Sequence, residues 1–133
     1  MRKKVLSPRG FTLLELMMVV AIIALLAAIA MPHLSRTKVS TNDTLAVSAL
    51  RALSTAAESY AVVNANNFPV DEASLLGATP PYIDRPYCGM SLYGFSFTCA
   101  FLADGYWFNA EPLQPGLTGT TSYTIVTGGV LSP

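Results

Sequence analysis

The sequence has little charge. Only 12% of its 133 residues are charged, whereas 52% are apolar, which excludes a disordered chain because disorder requires low hydrophobicity and high charge. The length suffices for one small domain and not two. The formal net charge is zero, which argues against a nucleic-acid binder that works through bulk positive charge.

Motifs of common catalytic sites are also lacking. There is no phosphate-cradling loop, no His-Glu-x-x-His and no nucleophile elbow. The single histidine, His33, and the two cysteines, Cys88 and Cys99, are too few for a four-ligand zinc site. No base is placed to activate a nucleophile, so we expect a protein that is not an enzyme and holds no cofactor or metal.

The few charges are unevenly distributed. Residues 11–34 carry a single charge, Glu15, and the chain after them has four basic and seven acidic residues, a balance of −3. This pattern argues against a soluble cytosolic enzyme. The remaining charges form a basic leader of four residues within the first ten: Arg2, Lys3, Lys4 and Arg9.

Residues 11–34 form an apolar segment of 24 residues. As a helix it measures about 36 Å, which exceeds the about 30 Å of a bilayer core, and the basic leader would hold its beginning in the cytoplasm. A plain membrane anchor and a secretory signal peptide, with Ala28-Ile29-Ala30 as its cleavage site, are two interpretations. Neither explains Glu15, because an acid near the bilayer centre costs about 2.5–3.5 kcal/mol.

A third interpretation follows from residues 8–16, which read Pro-Arg-Gly-Phe-Thr-Leu-Leu-Glu-Leu. This stretch resembles the N-terminal signature of type IV pilins and pilin-like proteins, including the pseudopilins of type II secretion. Pro32 stands 21 residues after Phe11, where many members of the family also have a proline. The resemblance implies that a prepilin peptidase cuts between Gly10 and Phe11 and methylates the new amine of Phe11, so that residues 1–10 are a cleaved leader.

Cleavage would give Glu15 a partner. The free amine of Phe11 lies four residues away, one helical turn, and can neutralise the carboxylate within one chain or in a neighbouring subunit. A paired charge is tolerable in an apolar core where a lone one is costly, so we interpret Glu15 as a device that fixes subunit register.

The resemblance also implies partners and a location. It implies a single-pass protein of the bacterial inner membrane with its N-terminus in the cytoplasm. An assembly platform in that membrane and an ATPase would then polymerise it with identical or related subunits into an extracellular pilus. Residues 11–34, with Phe11, Glu15 and Pro32, would be the transmembrane and assembly helix. Pro32 favours either local melting on assembly or a simple bend at the membrane surface.

Two alternatives to a pilus subunit stay open. One is a pseudopilin that builds a periplasmic pseudopilus for type II secretion. The other is a DNA-uptake or adhesive binding subunit, although the balance of −3 leads us to expect no nucleic-acid partner.

Residues 35–133 are predicted to form an amphipathic helix and a small sheet. Ala46, Leu50, Leu53, Ala57 and Tyr60 recur at helical spacing, and the helix should end within residues 64–69. The predicted surface of this helix includes Ser54 and Glu58. Alternating residues after position 94 predict three or four antiparallel strands, and the fold class is α+β with a long helix packed on the sheet, as in type IV pilins.

The cysteines leave three alternatives, namely a zinc half-site, free thiols and a disulfide. On the exported side of a membrane a disulfide between Cys88 and Cys99 is the default. It would close a 12-residue loop and stabilise the fold by about 3 kcal/mol.

Overall fold

The computed structural model describes residues 10–133, so the predicted leader residues Arg2, Lys3, Lys4 and Arg9 lie outside the described residues. The chain divides into two compact units, one that ends at Ser35 and a C-terminal unit, Arg36–Pro133. The α+β class is confirmed. The described elements are α1 (Leu13–Val63), α2 (Glu72–Leu76), β1 (Ser91–Leu92), β2 (Phe95–Leu102), β3 (Gly105–Pro112), β4 (Tyr123–Val126) and β5 (Val130–Ser132).

The strands form one antiparallel sheet in chain order. Its register pairs Phe97 with Ala110 and Phe108 with Ile125, and all four side chains are buried on the face that packs against α1. The prediction of three or four strands is wrong, because five are present. Gly128 and Gly129, which follow β4, have φ angles of 84° and 73°, and these let the chain reverse and add β5.

The predicted amphipathic stripe on α1 is confirmed. Ala46, Leu50, Leu53 and Ala57 are completely buried, whereas Tyr60 lies half-buried at the edge of the core. The helix ends at Val63, directly before the predicted stop, where the N–H of Asn66 donates to the carbonyl of Ala61 over 2.8 Å. The second half of α1 is therefore one layer of a two-layer core.

Residues between α1 and the sheet are held by carboxylates and by the disulfide. Asp71 caps α2 by accepting hydrogen bonds from the hydroxyl and the N–H of Ser74, and these bonds lower the pKa of Asp71. Glu72 accepts from the N–H groups of Tyr87 and Cys88. Cys88 and Cys99 are joined in a disulfide bond, which ties this connection to β2.

A buried polar network links α1 to the sheet. The hydroxyl of Tyr106, a residue only 1% exposed, donates to Glu58 over 2.9 Å and lies 2.7 Å from the hydroxyl of Ser54. Glu58 also accepts from the N–H of Gly128 over 2.8 Å. The expectation that Ser54 is a surface residue is wrong, since it is 4% exposed. It is buried because the sheet supplies a phenol that satisfies its hydroxyl.

Candidate assembly segment

The apolar helix begins with a reciprocal pair of hydrogen bonds. The N–H of Thr12 donates to Oε2 of Glu15 over 3.3 Å, and the N–H of Glu15 donates to the hydroxyl of Thr12 over 3.2 Å. The Thr12 hydroxyl also donates to the same Oε2 over 3.3 Å. This arrangement is a capping box, which satisfies N–H groups that a helix start would leave unpaired.

The capping box gives Glu15 a second role inside a single chain, besides the predicted pairing with the amine of Phe11. It fixes the beginning of α1, and it places the carboxylate at the positive end of the helix dipole. A threonine followed three residues later by a glutamate, directly before an apolar run, is the sequence signal for this motif.

Gly10 and Phe11 both lie before the helix. α1 begins at Leu13, and the side chain of Phe11 is 82% exposed. A Cβ added to Gly10 would meet no atom of residues 10–133 within 4 Å. The peptide bond between these two residues therefore lies outside the helical hydrogen-bonding pattern of α1.

From Leu13 to Leu34, α1 exposes its apolar side chains on all faces. Its most apolar 18 residues have a mean hydropathy of 2.8, and none of them is buried. The helix is long and apolar enough to cross a membrane. One continuous apolar surface near its beginning consists of Leu13, Leu16, Met17, Val20, Ala21 and Ala24.

Pro32 lies inside α1, and the helix continues on both sides of it. The hydroxyl of Ser35 donates to the carbonyl of Met31 over 3.3 Å, a local bond of the kind that often accompanies a bend. Melting of this region on assembly stays a prediction.

The structure thus places the predicted residues in two groups. Gly10 and Phe11 lie directly before α1, and Glu15 lies in its first turn. Cys88 and Cys99 are joined within the C-terminal unit. Within residues 10–133, no group of three or more His, Cys, Asp or Glu side chains is arranged to hold a metal ion.

Comparison with known proteins finds a match to the N-terminal segment and a match to most of the chain. Residues 7–31 match the model of the prokaryotic N-terminal methylation motif. Over 110 residues, 80% of this chain and 83% of the relative, the sequence is 31% identical to the type IV wide pilus major component PilA4 of Thermus thermophilus.

Two shorter matches cover less than half of the relative's length. A fimbrial protein of Pseudomonas aeruginosa is 59% identical over 53 residues, which are 40% of this chain and 34% of the relative. The type II secretion system core protein G of Aeromonas hydrophila is 39% identical over 66 residues, which are 50% of this chain and 46% of the relative. No solved structure matches the chain significantly.

Proposed function

Because the chain belongs to the type IV pilin family, we propose that it is a structural subunit of a type IV pilus or pilus-like filament, polymerised through its N-terminal helix. The observation that carries this proposal is the exposed apolar first half of α1, from Leu13 to Leu34. A helix that is apolar on every face requires lipid or other helices around it. Lipid would surround it before assembly, and the same helix of neighbouring subunits afterwards.

Processing would precede assembly. A prepilin peptidase would hydrolyse the peptide bond between Gly10 and Phe11, which leaves a carboxylate on Gly10 and a free amine on Phe11 that is then methylated. The match to the methylation motif over residues 7–31 and the position of this bond outside α1 support this step. The leader, residues 1–10, would be lost, and residues 11–34 would be the transmembrane and assembly helix.

The new amine would act together with Glu15. In the uncleaved chain the Glu15 carboxylate already accepts hydrogen bonds from Thr12, and cleavage would add a cation one residue before Thr12. Since a carboxylate buried among helices is costly unless it is paired, subunits in the wrong register would be disfavoured. An inner-membrane platform and its ATPase would supply the energy and direction of assembly.

A pseudopilin of type II secretion is the second candidate, favoured by the 39% identity to the core protein G of Aeromonas hydrophila. The same cleavage and helix packing would then build a periplasmic pseudopilus. Deletion of the gene separates the candidates, because loss of surface filaments indicates a pilus subunit, whereas loss of a secreted enzyme with filaments intact indicates a pseudopilin.

The capping box allows the charge of Glu15 to be tested apart from its hydrogen bonds. Glutamine also serves as the third helical residue of a capping box, so Glu15→Gln should keep the helix start and remove only the charge. We expect this variant to enter the membrane and to be cleaved, but its yield of sheared filaments should fall by at least about tenfold, the equivalent of about 1.4 kcal/mol.

Thr12→Ser is the matched control, because it keeps both the cap and the charge and should form filaments at the wild-type level. Mass spectrometry of the mature N-terminus checks the processing, with a methylated Phe11 expected. Normal filaments from Glu15→Gln would contradict charge pairing, and wild-type filaments that retain residues 1–10 would contradict the whole scheme. A mature chain that starts at Met31 would instead support a secretory signal peptide.

A further inference from the structure

Thr12 stands at the boundary between a helical and a non-helical backbone. Its carbonyl accepts the N–H of Leu16 over 3.3 Å, which is the first bond of the helix, while its own N–H donates to the side chain of Glu15. Thr12 is therefore the N-cap of α1. The bond that the peptidase would cut, between Gly10 and Phe11, ends directly before this residue.

The sequence contains a second helix-start signal about one turn upstream of Thr12. Ser7 is of a type preferred as an N-cap, and Pro8, which follows it, is of the type favoured at the first position of a helix. A helix that began there would include Gly10 and Phe11. The sequence thus offers two alternative starts, and α1 uses the later one, since it begins at Leu13.

The hydrogen bonds of the capping box favour the later start. They satisfy two N–H groups at once, those of Thr12 and Glu15. In a helix that began upstream, the N–H of Thr12 would instead donate to the carbonyl four residues before it, and both bonds of the box would be lost. Gly10 also opposes an upstream start, because glycine is a poor helix former.

The position of the helix start decides whether the bond between Gly10 and Phe11 is ready for cleavage. A peptide bond inside a helix must unwind before a protease can act on it, so the rate of cleavage follows the population of the unwound form. In the structure both residues are exposed and lie outside α1. A chain held in this state offers the bond without a cost of unwinding.

We propose that Thr12 is a positioning residue for prepilin processing. Its capping box with Glu15 holds the beginning of α1 at Leu13 and so keeps the bond between Gly10 and Phe11 in a non-helical backbone for the peptidase. This inference rests on the proposed function. It gives the hydrogen bonds of Glu15 a role in cleavage that is separate from the role of its charge in assembly.

Cleavage kinetics of the full chain in detergent, with purified prepilin peptidase, test the proposal. Thr12→Val keeps the shape of the side chain but removes the hydroxyl, and with it two of the three hydrogen bonds of the box. We expect KM to rise by about fivefold with kcat unchanged, because the chain must unwind before it binds. Thr12→Asn should restore the wild-type KM, since asparagine is also a strong N-cap.

Thr41→Val is the matched control. The hydroxyl of Thr41 also donates to the backbone of α1, to the carbonyl of Thr37 over 2.9 Å, but it lies far along the helix from the bond to be cut. This variant should be cleaved with the KM and kcat of the wild type. Glu15→Gln should be cleaved normally as well, because glutamine preserves the capping box.

The carbonyl carbon of Gly10 reports the helix start directly. Isotopic labels on glycine carbonyl carbons and phenylalanine nitrogens select, in an NMR spectrum, the two Gly–Phe peptide bonds of the chain, Gly10–Phe11 and Gly94–Phe95. In Thr12→Val the Gly10 signal should move towards the helical range, and in Thr12→Asn it should return. The Gly94 signal, from the residue before β2, should not move and is the internal reference.

Several outcomes would overturn the inference and leave the proposed function intact. Wild-type kinetics for Thr12→Val, or an unmoved Gly10 signal, would mean that the cap does not control the bond. A KM that Thr12→Asn fails to restore would mean that the peptidase reads threonine itself, and a fall in kcat alone would mean a contact made in the transition state. A wild-type chain that is not cut between Gly10 and Phe11 would contradict the processing step of the proposed function, and this inference with it.

Discussion

The two halves of α1 belong to one continuous helix but have opposite surroundings. In the first half Leu25 is 67% exposed, whereas in the second half Leu50 and Leu53 are completely buried. The second half is amphipathic and finds its apolar partner in the sheet of its own subunit, but the first half is apolar on every face. The contrast teaches that one half is completed by folding and the other only by a membrane or by other subunits.

The largest expected effect comes from the same truncation made in each half. Leu53→Ala should lower the free energy of unfolding of the C-terminal unit by about 2–5 kcal/mol, because it leaves a cavity in a packed core. Leu25→Ala should change it by less than about 0.5 kcal/mol, since the Leu25 side chain is exposed and its truncation leaves no cavity in the packed core. Urea denaturation of the full chain in detergent, followed by the fluorescence of Trp107, measures both, and equal losses would contradict the contrast.

The disulfide should stabilise the C-terminal unit and leave the first half of α1 unaffected. Replacement of both Cys88 and Cys99 by serine should lower the free energy of unfolding of the C-terminal unit by about 3 kcal/mol, because the open chain gains conformational entropy when unfolded. The helicity of the first half of α1 should not change. Wild-type protein treated with dithiothreitol should show the same loss, and a variant as stable as the oxidised wild type would contradict this role.

Sequence periodicity predicted the parts of the fold that depend on local pattern. The extent of the apolar segment, the stripe at Leu50 and Leu53, and the end of α1 follow from helical spacing and stop signals. The fifth strand was missed because a glycine pair both ends a strand and permits a hairpin, and only the pairing of Val130 with Val126 decides between them.

The sequence predicted which residues belong to the candidate assembly segment, but not all of the contacts that these residues make. The motif around Gly10, Phe11 and Glu15 is local, so sequence alone locates it. The capping box of Thr12 and Glu15 is local too. It was not predicted, because the amine of Phe11 was taken as the partner that explains Glu15. The network of Ser54, Glu58 and Tyr106 joins residues 48 and 52 positions apart, and no local pattern reveals such contacts.

The smallest expected effect is a difference between the C-terminal unit and the first half of α1 in how stability depends on pH. Burial in the core, more than its hydrogen bonds, raises the pKa of Tyr106 above its usual value of about 10. A raised pKa in the folded state means that this contribution to stability is complete below about pH 10 and is lost as the pH rises through the folded value. The C-terminal unit should therefore weaken in alkali, while residues 13–34 of α1, which contain no tyrosine, should not.

Tyr106→Phe tests the origin of that alkaline loss. At about pH 8 the variant should be less stable by about 1–2 kcal/mol, because the buried hydroxyl of Ser54 loses its partner. Between about pH 8 and about pH 11 its stability should then fall less steeply than that of the wild type. A residual slope is expected from Tyr87, whose pKa burial also raises. If urea denaturation gave the same slope for both proteins, the proton on Tyr106 would not be the group that ties the sheet to α1.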